Sequence, residues 1–180
     1  AFFNDALGSW DGQGIVFADV TGEGIPDILA GRVFQLHYGR GGPGLVGAIN
    51  PTANLTGASL GVGSTMGQSI NVADVTGDGI LDVLAGDPFA GAAPAEVGRI
   101  FLWAGGPTFG TTAAKTPNVP GALVRDHLGR ASEQGIHFGH VRGEGKLDVV
   151  VRAEHADVGG VQNAGAIYVW AGGAGILASA

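Results

Sequence analysis

A nine-residue pattern that recurs three times is the feature that most constrains the fold of this 180-residue chain. Its copies occupy residues 19–27 (DVTGEGIPD), 74–82 (DVTGDGILD) and 140–148 (HVRGEGKLD). Successive copies begin 55 and 66 residues apart, and similar apolar segments flank each copy. A repeat of this length predicts a propeller, solenoid or array, because one unit is too small to bury a core by itself.

The apolar segments around each copy predict β-strands. They are short, rich in Val, Ile, Phe and Trp, and bounded by glycine. The 35 glycines and the low fraction of charged residues, 14%, agree with short buried strands joined by tight turns. In residues 100–103 (IFLW) and 167–170 (IYVW) both strand faces are apolar. This pattern predicts sheets sandwiched between neighbouring sheets, as in stacked propeller blades.

The first two copies have the composition of calcium loops. Carboxylates stand at the first, fifth and ninth positions, a threonine at the third, and glycine at the fourth and sixth. Calcium takes about 6–8 oxygen ligands at roughly 2.3–2.6 Å, so a short loop must curl its side chains toward one point. Glycine permits the positive φ values that this curling requires. A solvated acidic turn is the alternative for one copy alone, but two aligned copies favour calcium.

With these motifs in view, the chain resembles three consecutive FG-GAP repeats, the blade unit of integrin alpha-subunit propellers and of many bacterial surface proteins. Residues 66–88 (MGQSINVADVTGDGILDVLAGDP) and 98–106 (GRIFLWAGG) carry the resemblance best. It implies an all-β fold of four-stranded antiparallel blades, in which the chain is part of a propeller or a self-associating half. The single segment 1–180 would comprise repeats at approximately 1–60, 61–128 and 129–180.

The resemblance also implies a calcium ligand set in each acidic loop, made of the first, third, fifth and ninth side chains and the seventh carbonyl. The implied ligands are Asp19, Thr21, Glu23, the Ile25 carbonyl and Asp27, and then Asp74, Thr76, Asp78, the Ile80 carbonyl and Asp82. Two departures from the family pattern matter. A neutral threonine replaces the more usual Asp or Asn at the third position, and Glu23 is one methylene longer than Asp78. We therefore expect modest affinity, and a better site in the second loop than in the first.

The third copy has lost this ligand set. His140, Arg142 and Lys146 face the remaining acids Glu144 and Asp148, so the side-chain charges cancel with His neutral. We hypothesise that Arg142 or Lys146 takes the place of the ion and pairs with Asp148, since a guanidinium can bridge a carboxylate. A transition-metal role for His140 is the weaker alternative, because the loop offers no second His or Cys.

Composition narrows the classes of function. A net charge of −7 and only nine scattered Lys and Arg residues argue against a nucleic-acid partner. The chain contains no apparent membrane span, nucleophile motif or phosphate-binding lysine loop, so we do not expect an enzyme. We expect a calcium-binding module for recognition or adhesion of a protein or glycan, extracellular or at the cell surface, where weak calcium modules are typical. The alternatives are a lectin with sugar pockets between blades and a propeller scaffold associated with an enzyme.

Two further expectations concern ligand contact and assembly. Trp10 lies in a polar, glycine-rich turn and is the candidate ligand residue, whereas Trp103 and Trp170 occupy equivalent strand positions that favour core packing. Three blades are too few for a ring, because propellers typically close with about 4–8. We therefore expect the partner to be the remainder of the propeller or a second copy, for instance two chains making six blades.

Overall fold

Ten β-strands form the regular structure of the protein in a computed structural model, which describes residues 14–32, 35–47, 52–55, 69–90, 97–111, 126–130 and 135–177. The strands are β1 (Ile15–Ala18), β2 (Asp27–Arg32), β3 (Gln35–Gly39), β4 (Ala53–Leu55), β5 (Ser69–Ala73), β6 (Asp82–Asp87), β7 (Arg99–Trp103), β8 (Ile136–Gly139), β9 (Asp148–Ala153) and β10 (Ala166–Trp170). A short 3-10 helix, Ala174–Leu177, follows β10. Within these ranges there is no α-helix, and no helix has the length and apolar character needed to span a membrane.

The strands form three antiparallel sheets, each built from consecutive strands. The first blade contains β1–β4, the second β5–β7 and the third β8–β10. The strands of all three sheets pair in the same register. In each sheet, the residue two positions after the last loop residue pairs with an apolar residue of the next strand. These pairs are Leu29 with Tyr38, Leu84 with Leu102, and Val150 with Val169. The all-β prediction of propeller blades is confirmed, with four strands described in the first blade and three in each of the others.

The core lies between the blades rather than within any one of them. One cluster of buried side chains joins the first and second blades and includes Leu29, Tyr38 and Trp103. A second cluster joins the second and third blades and includes Leu84 and Val149. A single sheet would leave one apolar face in water, so each blade depends on its neighbours, as the repeat length predicts.

The expectation that sheets are covered on both faces holds for the second blade and fails for the third. Ile100, Phe101, Leu102 and Trp103 of β7 are all buried. In β10, Tyr168 and Trp170 pack against the core, but Ile167 and Val169 are exposed. The reason is positional, because the second blade has a blade on each side and the described third blade has one. Trp103 and Trp170 contribute to the core, as expected.

Backbone hydrogen bonds also join neighbouring blades. The amide of Gly106 donates to the carbonyl of Val20 at 2.8 Å, and the amide of Gly173 donates to the carbonyl of Val75 at 2.7 Å. Both carbonyls belong to the second position of the preceding blade's loop. The first and second loops are therefore each held by the blade that follows them.

Candidate metal sites in the repeat loops

The three loops adopt the tight conformation that their glycines predict. The glycines at the fourth and sixth positions all have positive φ, between 73° and 90°, at Gly22, Gly24, Gly77, Gly79, Gly143 and Gly145. Other residue types rarely adopt this region of backbone conformation. The loop shape is thus common to all three copies and does not depend on the acidic side chains that the third copy lacks.

The first aspartate of each acidic loop caps the turn. Asp74 accepts hydrogen bonds from the amides of Gly77 (2.6 Å), Asp78 (3.1 Å) and Gly79 (2.9 Å). Asp19 accepts the equivalent three bonds in the first loop. Burial raises the pKa of Asp19, but these amide bonds outweigh it, and the net pKa lies below the ordinary value. The carboxylate is therefore ionised at neutral pH and fixed at the mouth of the loop.

The aspartate at the ninth loop position is buried and joins the loop to the glycine that follows the third strand of the blade. We call this set of hydrogen bonds the clamp. Asp82 accepts the amides of Val75 (2.9 Å) and Thr76 (2.8 Å) with one oxygen and that of Gly105 (2.9 Å) with the other. Burial raises the pKa of Asp82, and these hydrogen bonds offset only part of that rise. Asp27 makes the corresponding bonds to Val20 and Gly41.

The third loop keeps this clamp although His140 replaces the aspartate at its first position. Asp148 accepts the amides of Arg142 (2.9 Å) and Gly172 (3.1 Å), and the bond to the glycine after the third strand is common to all three copies. The Gly172 amide, together with that of Arg142, holds the pKa of Asp148 below its usual value. An aspartate retained at this position is therefore explained by backbone hydrogen bonding, with or without a metal.

A glycine after the third strand is part of each clamp, and sequence reasoning missed its role. A β-carbon at Gly41, Gly105 or Gly172 would lie 2.1, 2.4 or 2.1 Å from the carbonyl oxygen of the eighth loop residue. Only glycine allows this approach without a shift of the backbone. The signal in the sequence was the Gly–Gly pair that follows β3, β7 and β10 in all three units. The amide of the first glycine donates a hydrogen bond to the aspartate at the ninth loop position. In the second and third units, the amide of the second glycine donates to a loop carbonyl of the preceding blade.

The first loop contains a cation that the sequence interpretation did not anticipate. The guanidinium of Arg40 pairs with the carboxylate of Glu23, with Nε at 2.9 and 3.1 Å from the two carboxylate oxygens and Nη2 also in contact. The hydrogen bond from Arg40 is the main reason that the pKa of Glu23 is lowered. The equivalent position is Ala104 in the second unit and Ala171 in the third. Arg40 thus partly neutralises the first acidic loop and has no counterpart in the second.

The second loop presents an oxygen-rich set of side chains. Asp74, Thr76, Asp78 and Asp82 all lie in the loop or at its end, and the Thr76 hydroxyl is 3.4 Å from Asp82. Asp78 is exposed and accepts one bond, from the amide of Ile80 at 2.9 Å. A carboxylate oxygen has lone pairs for more than one partner, but the oxygens of Asp74, Asp78 and Asp82 do not all lie within 4.8 Å of one another in the described structure, so a shared cation would require these side chains to move together. This donor set consists only of oxygen, which suits a hard ion such as calcium.

In the third loop the basic side chains find partners other than the one hypothesised. The guanidinium of Arg142 pairs with Glu144 at 2.9 Å, and Arg142 reaches Asp148 through its backbone amide. Lys146 lies over Gly173, where an added β-carbon would come within 2.7 Å of its Nζ. His140 contacts the carbonyl of Lys146 through Nδ1 at 2.9 Å. The turn is thus held by the side chains of the third copy themselves.

One further cluster is formed by residues that the sequence did not connect. His127 and His155 face each other with 2.9 Å between their Nδ1 atoms, and Glu154 lies 3.9 Å from Nε2 of His155. One ligand atom from each of the three residues lies within 4.8 Å of the other two, so the side chains are close enough to share a metal ion. Arg130 and Arg152 both pair with Glu154. The cluster therefore lies near the end of β9 with its carboxylate held by two arginines.

The other predicted ligand residue, Trp10, lies outside the described residues.

Residues 66–103 match the family model described as FG-GAP repeat. The match begins just before β5, includes the second acidic loop and ends with β7. The second unit of this chain is therefore an FG-GAP repeat, and the resemblance of the sequence to the FG-GAP propeller family is confirmed.

Proposed function

We propose that the chain is a non-catalytic, calcium-stabilised propeller module that recognises a protein or glycan outside the cell or at its surface. The proposal of calcium binding is supported by the second loop, where three carboxylates and a hydroxyl lie within one short turn. The blade fold and the FG-GAP match supply the context of a recognition module. The localisation follows from the proposed metal, because weak calcium sites need the millimolar calcium found outside cells.

In this proposal the second loop would hold calcium through Asp74, Thr76, Asp78, the Ile80 carbonyl and Asp82. The first loop would use Asp19, Thr21, Glu23, the Ile25 carbonyl and Asp27. When bound, the ion supplies positive charge among the carboxylates and thereby stabilises the folded loop. A ligand that binds only the folded state stabilises it by about 2.7 kcal/mol at a hundred times its Kd. The role of the metal is structural, and it keeps the loop between the first two strands of a blade in one conformation for contact with a ligand.

Calcium should raise the melting temperature of the protein, and a chelator should reverse the increase. Asp78→Asn should remove most of this response, because it takes a charge from the loop while disturbing one local hydrogen bond. Differential scanning calorimetry of the wild type and the variant, with calcium, magnesium or chelator, measures the effect. Glu144→Gln is the matched control, since it changes the same loop position in the third copy. A melting temperature that calcium does not change would show that the loops are acidic turns without a bound ion.

Removing Arg40 should strengthen calcium binding at the first loop by roughly five- to tenfold, because its guanidinium repels the ion and competes with it for Glu23. The measurement is isothermal titration calorimetry of Arg40→Ala in an Asp78→Asn background, which isolates the first loop. The ion pair is exposed and such pairs contribute little to stability, so the variant should fold normally. An unchanged affinity would mean that Arg40 does not compete with the ion.

The lectin alternative differs from the leading proposal in where a sugar would stack. Trp103 is fully buried, and Trp170 is half-buried against the second cluster, so both contribute to packing between blades. The alternative therefore rests on Trp10. Binding to a glycan array that disappears on Trp10→Ala would favour defined sugar pockets, whereas binding that persists would favour the loops between blades.

A further inference from the structure

Two histidines and a glutamate from separate parts of the chain meet where the second and third blades join. His127 lies in the segment 126–130, and Glu154 and His155 follow β9. One ligand atom of each residue lies within 4.8 Å of the ligand atoms of the other two. None of the three belongs to a repeat loop, so the cluster is a candidate metal site distinct from the acidic loops.

The backbone holds His127 between the two blades. The residue after it forms a parallel β-bridge with Gly98, just before β7, and the next amide donates to the carbonyl of Arg152 in β9 at 3.1 Å. His127 itself has a φ of 52°, in the left-handed region that residues other than glycine rarely adopt. Its ring is edge-on to that of Phe89, with 5.0 Å between the ring centroids. The surrounding structure therefore imposes an uncommon conformation that places the ring beside His155.

Glu154 and His155 form the corner of a turn at the end of β9. The amide of Ala156 donates to the carbonyl of Ala153 at 3.4 Å and closes the turn, and both alanines are buried. The side chains of the corner residues are 22% exposed for Glu154 and 40% exposed for His155. The buried alanines thus anchor the turn and leave the two polar side chains at its surface.

The two imidazoles can make their contact only with one hydrogen atom between them. Their Nδ1 atoms are 2.9 Å apart. A neutral imidazole has one donor and one acceptor nitrogen, so one ring donates and the other offers a lone pair. A zinc ion can replace this hydrogen, with release of the proton to water. Because Zn–N bonds are about 2.0–2.1 Å long, two tetrahedral nitrogen ligands lie about 3.3 Å apart, so the rings need to separate only slightly.

The third ligand, Glu154, is held by Arg130 and Arg152. Each carboxylate oxygen has lone pairs for more than one partner, and carboxylates that bind metals usually keep hydrogen bonds to outer groups. The segments 126–130 and 152–157 together contain three acidic and two basic side chains, which gives a net charge of −1 with His neutral. The arginines therefore orient the carboxylate without making the two segments positive.

We propose that His127, His155 and Glu154 bind a zinc ion through two imidazole nitrogens and one carboxylate oxygen. Two histidines and a glutamate, with water in the fourth position, form a tetrahedral zinc site. Imidazole ligands suit zinc, whereas calcium takes oxygen ligands. The ion ties the segment 126–130 to the end of β9 and so stabilises the contact between the second and third blades. This site goes beyond the proposed calcium function and does not depend on it.

Isothermal titration calorimetry of the whole chain with Zn²⁺, in excess calcium that competes for oxygen ligands, should show one ion bound at this cluster. His155→Ala should weaken binding by at least about tenfold, since loss of an outer-shell partner alone costs about 10–100-fold. His127→Asn should do the same, and asparagine tolerates the left-handed backbone at this position. His137→Ala is the matched control, because it removes an exposed histidine of β8 outside the cluster and should leave binding unchanged.

Zinc should also raise the melting temperature of the wild type and of His137→Ala, but not that of the two cluster variants. Circular dichroism before each titration shows that a variant is folded. Equal zinc binding by His155→Ala and the wild type would overturn the proposal. Zinc binding that Asp78→Asn removes would also overturn it, because the ion would then lie in the second acidic loop.

Discussion

Gly105→Ala should lower the free energy of unfolding by about 3–4 kcal/mol. The new β-carbon would lie 2.4 Å from the carbonyl oxygen of Leu81 and 2.8 Å from a methyl group of Ile80. The backbone must therefore move, and this movement lengthens the bond from the Gly105 amide to Asp82. Crowding of this kind costs about 1–3 kcal/mol, and a buried group left without its partner costs a similar amount. Urea denaturation monitored by tryptophan fluorescence measures the change.

Gly44→Ala and Gly172→Ala are the informative comparisons for this variant. An added β-carbon at Gly44 meets nothing within 4 Å, so its stability should stay close to that of the wild type. Gly172→Ala repeats the crowding in the third loop, where the calcium ligand set is missing, and should be about as damaging as Gly105→Ala. If Gly105→Ala were no worse than Gly44→Ala, the close approach would not constrain the loop.

The sequence predicts the local structure of the loops and the class of the fold because both depend on short-range pattern. The glycines at the fourth and sixth positions predicted positive φ, and the apolar segments on either side predicted strands. The repeat itself predicted that blades cover one another. Because the same pattern occurs in three copies, the prediction does not depend on any one of them.

The contacts that define the site could not be predicted, because their partners are distant in sequence or occur in one copy only. Asp82 meets Gly105, which is 23 residues away, and only the return of β7 beside β6 brings them together. Arg40 reaches Glu23 from a loop that differs between the units. The faces of β10 look alike in sequence, yet their exposure depends on which blade lies beside them.

Asp82→Ala should destabilise the protein by about 3–5 kcal/mol even when calcium is removed with a chelator. The substitution leaves the amides of Thr76 and Gly105 without their acceptor in a largely buried site, while the Val75 amide keeps its bond to the Ala73 carbonyl. Each buried donor that loses its partner costs about 1–3 kcal/mol, and partial relaxation of the loop makes the total smaller than the sum. The measurement is the free energy of unfolding in urea, with and without calcium.

Asp78→Ala in the same loop and Asp148→Ala in the third loop separate the two roles of the acidic residues. Asp78 accepts one bond at an exposed position, so its removal should change the stability of the metal-free protein by less than about 0.5 kcal/mol. Asp148 makes the clamp without the rest of the ligand set, so Asp148→Ala should be damaging whether or not calcium is present. If Asp82→Ala were harmless in chelator and harmful only in calcium, Asp82 would be a metal ligand and its backbone bonds would contribute little. A loss in both conditions would show that Asp82 ties the loop to its blade through backbone hydrogen bonds whether or not it also binds the ion, whereas Asp78 should matter only when calcium is present.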